Sequence, residues 1–180
     1  MLIRIKKHSM LKVILTILTV FLFQIGYSQN KFVGQKAPAI YGISEKGDTI
    51  ASVSYESHKA VLLNFTATFC GPCWSTYNPM NDLQKKYEDE LQIIVIHLDS
   101  NKSKWYKLAE KYNVKSDLVS IWSSEITKKI FDEYQVDGFP FFYLINKEGI
   151  VCEKWFGNNE KKLRRKVEKE MKNTLNVRYK

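Results

Sequence analysis

Cys70-Gly71-Pro72-Cys73, set directly after the apolar run Ala60–Thr66 and ahead of a helix-compatible stretch, constrains this chain more than any other feature in it. Two cysteines separated by two residues form a dithiol that can close and reopen. At i, i+3 helical spacing their β-carbons lie about 5–6 Å apart. A disulfide needs about 3.8 Å, so a slight tightening of the first turn closes the ring. Cys70 falls at the helix start, where unpaired N–H groups and the macrodipole favour a negative sulfur. That lowers the thiol pKa and makes a nucleophile. Pro72 suits a helix opening, where its missing N–H costs nothing. Cys73, nearly a turn later, is the more buried, resolving thiol.

Other uses of the same spacing are weaker. A closed zinc site wants four ligands, and only Cys152, His8, His58 and His97 remain as soft candidates. His8 lies in a targeting segment, so no metal is expected. A purely structural disulfide across two residues restrains little unfolded-chain entropy. A copper carrier wants a different cysteine spacing and a placed histidine. Redox chemistry is the reading that remains.

The first 28 residues read as a signal peptide, and 29–180 as one domain. Arg4, Lys6, Lys7 and Lys12 form a basic n-region without acids, and Val13 to Phe23 is apolar apart from Thr16 and Thr19. Gly26-Tyr27-Ser28 supplies small residues for cleavage before Gln29. The run is short for a spanning helix, which needs about 20 apolar residues. An uncleaved membrane anchor is the alternative. Either way the domain is expected outside the cytoplasm, in the periplasm if cleaved. Disulfides persist there, yet three cysteines are too few for a disulfide scaffold.

The formal charge of +9 is unevenly spread. Removing the four n-region cations from the 28 basic residues leaves 24 against 19 acids, a net +5. The segment 158–180 holds nine Lys or Arg against Glu160, Glu168 and Glu170, which accounts for the whole excess. Leu163, Val167, Met171 and Leu175 recur every four residues there, so a terminal amphipathic helix with a basic, solvated outer face is expected. Nucleic acid is not an expected partner of an exported chain lacking a binding motif.

Along the domain, Ala39–Ser44 and Asp48–Val53 read as short strands around Glu45-Lys46-Gly47. Ala60–Thr66 and Leu91–Leu98 read as buried strands, with a helix between them running to about Glu90. Ser103–Tyr112 is helical, Val119–Ile121 a short strand, and Ser123-Ser124 caps a further helix. Val136–Pro140 is a loop into strand Phe141–Ile145. Asn146-Lys147-Glu148-Gly149 turns into strand Ile150–Phe156. Crossover helices imply an α/β fold whose mixed central sheet has a parallel core, an antiparallel carboxyl-terminal hairpin and helices on both faces. The reactive turn sits at the carboxyl end of a central strand, where such sheets place their chemistry.

These residues resemble the thioredoxin-like fold, in particular exported thiol–disulfide oxidoreductases of the TlpA/ResA type. The resemblance runs from about Phe32 to Asn173, carried by Val33–Pro38, Val61–Cys73, Val136–Pro140 and Leu144–Ile150. It implies a redox-active disulfide and no other cofactor. It also implies that Pro140 is a cis-proline facing the dithiol, and that the Phe139 backbone pairs with an extended substrate strand. Phe69, where relatives have Trp, is an aromatic cover. Trp74 is read as a rim residue, facing substrate or packing its helix. Disulfide-containing exported proteins, apocytochrome c among them, are the implied substrates, and a membrane electron donor the implied source of reducing power.

Departures accompany the resemblance. Cytoplasmic thioredoxins carry a buried aspartate six residues before the first cysteine. Asn64 stands there in this chain and cannot accept the proton of Cys73. Thr76 stands where ResA-like chains often have Glu, and Pro79 comes one residue later than the usual helix proline. Asp99 reads as a turn and cap residue, Cys152 as a small apolar strand residue. A peroxidase of the peroxiredoxin kind is the first rival. It wants Thr three residues before the cysteine and a nearby arginine. Ala67 is there instead, and no arginine occurs between Arg4 and Arg164. A metal carrier using the same cysteine pair is the second.

Overall fold

The computed structural model describes residues 12–19, 32–40, 42–43, 49–50, 59–98, 102–113, 119–122 and 124–178. Two compact units result, Met1–Val33 and Gly34–Lys180. The first holds a helix at 12–19 (α1) with Val13, Ile14, Leu15, Ile17 and Leu18 exposed. No helix among the described residues is long and apolar enough to cross a membrane.

The second unit is built on a five-stranded sheet. In chain order its elements are β1 (Gly42–Ile43), β2 (Thr49–Ile50), β3 (Ala60–Thr66), α2 (Gly71–Trp74), α3 (Tyr77–Lys86), β4 (Leu91–His97), α4 (Lys102–Lys111), β5 (Val119–Trp122), α5 (Ser124–Glu133), β6 (Phe141–Ile145), β7 (Val151–Phe156) and α6 (Glu160–Arg178). β1 and β2 form a separate antiparallel pair. The main sheet runs β5-β4-β3-β6-β7, with β3 and β4 parallel, β4 and β5 parallel, and the last two strands antiparallel. This is the mixed α/β sheet expected from the sequence.

β3 is central because it carries apolar side chains on both faces, interrupted only by Asn64 and Thr66, and all seven residues are buried. Stepping from β3 to β4 to β5 moves always in one direction, so right-handed crossovers place α3 and α4 on the same face. The core agrees. Ala60, Leu62, Leu91, Ile93, Val95, Phe142, Leu144 and Trp155 pack there with Tyr77, Met80 and Leu83 of α3, Trp105 and Ala109 of α4, and Leu163, Val167 and Met171 of α6. The other face presents Phe65, whose ring meets Phe131 and Tyr134 on and just beyond α5 and Tyr143 of β6 at 5.0, 5.3 and 5.9 Å.

Local chemistry sets the remaining bounds. In the hairpin turn Asn146 Oδ1 accepts from Glu148 N–H and Ile150 N–H at 3.1 and 2.9 Å, and Gly149 takes φ +77°, a left-handed value suited to glycine. α6 buries the predicted Leu163, Val167 and Met171 and exposes Lys161, Arg165, Lys169 and Lys172, while the side chain of Leu175 lies outside the described residues. Arg164 Nη2 reaches Asp82 at 2.7 Å and Lys86 Nζ reaches Glu168 at 2.8 Å. Such exposed pairs contribute little, so α6 is held by its apolar stripe.

One expectation fails instructively. The helix after the dithiol is not continuous to Glu90: α2 is a single turn, Ser75 and Thr76 interrupt it, and α3 stops at Lys86. Pro79 explains the break. It has no N–H for the carbonyl of Ser75, and its ring crowds that carbonyl. Ser75 and Thr76 turn their hydroxyls back onto the carbonyls of Pro72 and Cys73 at 2.8 and 2.6 Å.

Candidate active site

The carboxyl end of β3 delivers the chain into the dithiol. Cys70 N–H donates to Ala67 O at 3.0 Å, and Cys73 N–H donates to Cys70 O at 3.1 Å, closing a tight turn. Cys70 caps α2 in an extended conformation with Pro72 in the first turn. The two cysteines are joined in a disulfide with Cα atoms 5.4 Å apart. Their exposure differs in the expected sense: Cys70 retains 8% and Cys73 none. An incoming thiolate or disulfide therefore reaches Cys70 first. Because α2 is one turn long, the field favouring a Cys70 thiolate comes from the nearest unpaired N–H groups rather than a long macrodipole, whose effect falls off within a turn in any case.

Phe139 and Leu98 pack against the cluster of Ala67, Cys70 and Cys73. The Phe139–Pro140 bond is cis. Phe139 lies between two rings, Phe69 at 6.0 Å and Phe131 at 5.4 Å, both edge-on. Phe69 is 65% exposed beside the nearly covered sulfur, so an aromatic cover at this position is present but open to solvent. Gly71 and Pro72 are exposed at the turn.

Trp74 requires a correction. It does not stand on the rim: 5% of it is exposed, and its ring stacks on Tyr77 at 5.3 Å and Tyr112 at 5.4 Å. Following Cys73 on a one-turn helix, it points down into the core with Cys73, so its role is packing.

Phe156 is the site residue that sequence reasoning missed. The alternation that buries Trp155 turns Phe156 the other way, leaving it 59% exposed at the end of β7. Its ring lies over Gly138, where a Cβ would come within 2.9 Å of Cε2. Gly157 N–H donates to Pro140 O at 2.9 Å, tying the strand end to the proline loop. The signal was available in the strand's period and in the glycine before Phe139. It became legible only once β6 and β7 were paired with Phe141 opposite Phe156.

Cys152 stands apart on β7, half-buried, with its Sγ 3.6 Å from Ile150 O. Burial first, and then the nearby Glu170, push its thiol up to about 12, so it stays protonated and unreactive near neutral pH. Asp99, His8 and His58 lie outside the described residues. No three His, Cys, Asp or Glu side chains among the described residues form a metal-holding group.

His97 ends β4 beside Thr66 on β3, buried with its ring edge-on to Trp105 at 5.7 Å. Burial pushes its pKa down to about 3. Below about 6.5 the unfolded chain therefore binds a proton that the folded chain refuses, and stability falls as pH drops. At about 1.4 kcal/mol per pH unit, denaturant unfolding at pH 5 should show the protein about 2 kcal/mol less stable than at pH 7. His97→Gln should flatten that slope; an equal slope in the variant would place its origin elsewhere.

A slightly exposed cysteine, a fully buried partner and an aromatic-walled proline loop, at the end of a central strand of this sheet, define a thioredoxin-like thiol–disulfide oxidoreductase. Comparison with known proteins reaches the same class. The chain belongs to the AhpC/TSA family, which matches residues 33–154. It is 29% identical over 133 residues to the thioredoxin-like protein YneN of Bacillus subtilis, covering 72% of this chain and 74% of the relative. It is 29% identical over 130 residues to the thiol-disulfide oxidoreductase ResA of Bacillus cereus, covering 72% of each. Among solved structures, the thioredoxin domain of a thiol-disulfide oxidoreductase from Bacteroides vulgatus matches with a TM-score of 0.66 and 26% identity, over 76% of this chain and 96% of that one. A thiol:disulfide interchange protein DsbE from Chlorobium tepidum matches in fold with a TM-score of 0.68 and 24% identity, over 79% and 97%.

Proposed function

We propose that this protein is an extracytoplasmic reductant of protein disulfides. The observation that carries the exchange chemistry is the graded access of the pair: Cys70 slightly exposed beside Phe139, and Cys73 fully buried. In the reduced protein the Cys70 thiolate attacks a substrate disulfide, forming a mixed disulfide and releasing one substrate sulfur as thiolate. The Cys73 thiolate then attacks Cys70, the second substrate sulfur leaves, and the protein is left as the disulfide seen in the structure. Two electrons and two protons from a membrane electron donor restore the dithiol.

Direction rests on the Gly71-Pro72 dipeptide, which matches thioredoxin, whose potential is about −270 mV against about −120 mV for the oxidant DsbA. Export rests on the basic and apolar amino-terminal segment. The likeness to ResA-type oxidoreductases supports exported disulfides as substrates, with apocytochrome c the first to try. The substrate strand lies along the Phe139–Pro140 loop, between Phe69 and Phe156. Peroxide chemistry has less support, since Ala67 supplies no hydroxyl three residues before Cys70.

The test is a side-by-side turnover assay. With dithiothreitol as electron source, the protein should accelerate reduction of the insulin interchain disulfides and leave hydrogen peroxide consumption near background. Rapid peroxide consumption with slow insulin reduction would reverse the reading.

A further inference from the structure

Asn64 is an anomaly of the interior. It sits at full burial on the central strand, and neither its Nδ2 nor its Oδ1 meets a hydrogen-bond partner among the described residues. A buried amide left this way is costly, and a leucine would be a cheaper occupant. Its position indicates what the amide faces. Asn64 shares the face of β3 that carries Ala60 and Leu62, the face roofed by Trp74, Tyr77 and Met80. The crossover from β3 to parallel β4 sends α2 and α3 back over β3 in the opposite direction. The carboxyl half of β3, where Asn64 stands, therefore lies beneath the first turn of that roof. Cys73, fully buried, is in that turn.

Among the described residues, the other polar or titratable groups at this end of the face are Thr66 of β3, His97 of β4, Trp105 of α4, Thr76 and Tyr77 at the α2–α3 junction, and Tyr112 beyond α4. None is a carboxylate, lysine or arginine; Asp99 lies outside the described residues. Thr76 is already committed to the Cys73 carbonyl. Among the described residues, a thiolate formed at the fully buried Cys73 thus meets no cation.

We infer that Asn64 is the hydrogen-bond donor to the Cys73 sulfur in the reduced protein, idle while the disulfide is closed and engaged when it opens. This rests on the reading of Cys70–Cys73 as an exchange centre. When a donor thiolate attacks Cys70, the Cys73 sulfur leaves with the bonding electron pair as a thiolate, and the Asn64 N–H meets it. In the opposite direction the same bond holds the Cys73 thiolate that attacks Cys70 in the mixed disulfide. An amide at this position cannot take the thiol proton, but it lowers the thiol pKa by favouring the charged form. The orphaned amide of the oxidised state is relieved on reduction, which favours the dithiol.

Two measurements test this. In Cys70→Ser protein, the Cys73 pKa is read from thiolate absorbance at 240 nm, with and without Asn64→Leu. The substitution should raise that pKa by about one unit or more. In the intact pair, Asn64→Leu should shift the equilibrium with dithiothreitol toward the disulfide by about tenfold, each factor of ten corresponding to about 1.4 kcal/mol, while the oxidised form melts no lower than wild type. An unchanged Cys73 pKa or an unchanged equilibrium would overturn the inference. Should Asn64→Leu fail to fold, the wild-type protein decides: the Asn64 side-chain amide protons, followed by nitrogen-15 NMR, should move downfield on reduction. Amide resonances unmoved in a pair that does cycle between disulfide and dithiol would refute the Asn64 role alone. A pair that dithiothreitol cannot open at all would refute the proposed function instead.

Discussion

Cys73→Ser should trap disulfide-bearing proteins as mixed disulfides through Cys70, while Cys70→Ser should trap almost none. The asymmetry follows from access. Cys70 alone presents a surface to an incoming disulfide, and with Cys73 removed nothing inside the protein releases the adduct. Turnover should fall to the background rate of uncatalysed exchange in both variants, so the distinction lies in the adduct and not in the rate. Non-reducing electrophoresis after quenching with a thiol-blocking reagent reads it directly. Equal trapping by the two variants would mean that both sulfurs are attacked from solution, and the assignment of attacking and resolving thiol would be lost.

Phe65→Ala should be the most damaging single change away from the cysteines, costing about 3–5 kcal/mol. Phe65 is fully buried on the central strand and its ring touches Phe131, Tyr134 and Tyr143. Removing it opens a cavity bounded by α5 and β6, and a sheet strand flanked on both sides cannot shift to fill it. Phe131 also supports Phe139 beside the dithiol, so substrate reduction should weaken as the wall loosens, while exchange with a small disulfide persists in whatever fraction stays folded. Urea unfolding measures the loss. A cost below about 1 kcal/mol would mean that the aromatic cluster repacks as a fluid assembly, against the close packing expected of an interior.

Much of this was readable in the residues because strong local signals coincide with the fold. Ala60–Thr66 reads as a strand and is one, since five apolar residues in a run of seven buried positions admit no amphipathic alternative. The four-residue spacing of Leu163, Val167 and Met171 survives as the buried stripe of α6. The break at Ser75–Thr76 was not anticipated, although its cause, Pro79, is visible: a proline six residues after Cys73 can be accommodated by a kink or by a stop, and tertiary packing decides. Trp74 shows a different limit. An aromatic beside a reactive cysteine reads equally as rim or core, and only the stacked rings of Tyr77 and Tyr112, the latter 38 positions away, settle it. Phe156 lies farther still in sequence from Cys70, and sheet pairing brings it to the site. Phe139 and Pro140, which β6 also carries to the dithiol, were named only through the family resemblance.

The missing carboxylates at Asn64 and Thr76 separate two properties that often travel together, the tendency to give electrons and the ease of resolving the mixed disulfide. A reducing pair with a buried thiol lacking a base should resolve faster as pH rises, because the thiolate fraction of Cys73 grows. The central claim is the reducing direction, and the measurement that reaches it most directly is the redox potential of the Cys70–Cys73 pair, obtained by titration against dithiothreitol or glutathione couples with trapping of free thiols. A value near that of thioredoxin, about −270 mV, is expected, and one near that of DsbA, about −120 mV, would contradict the account.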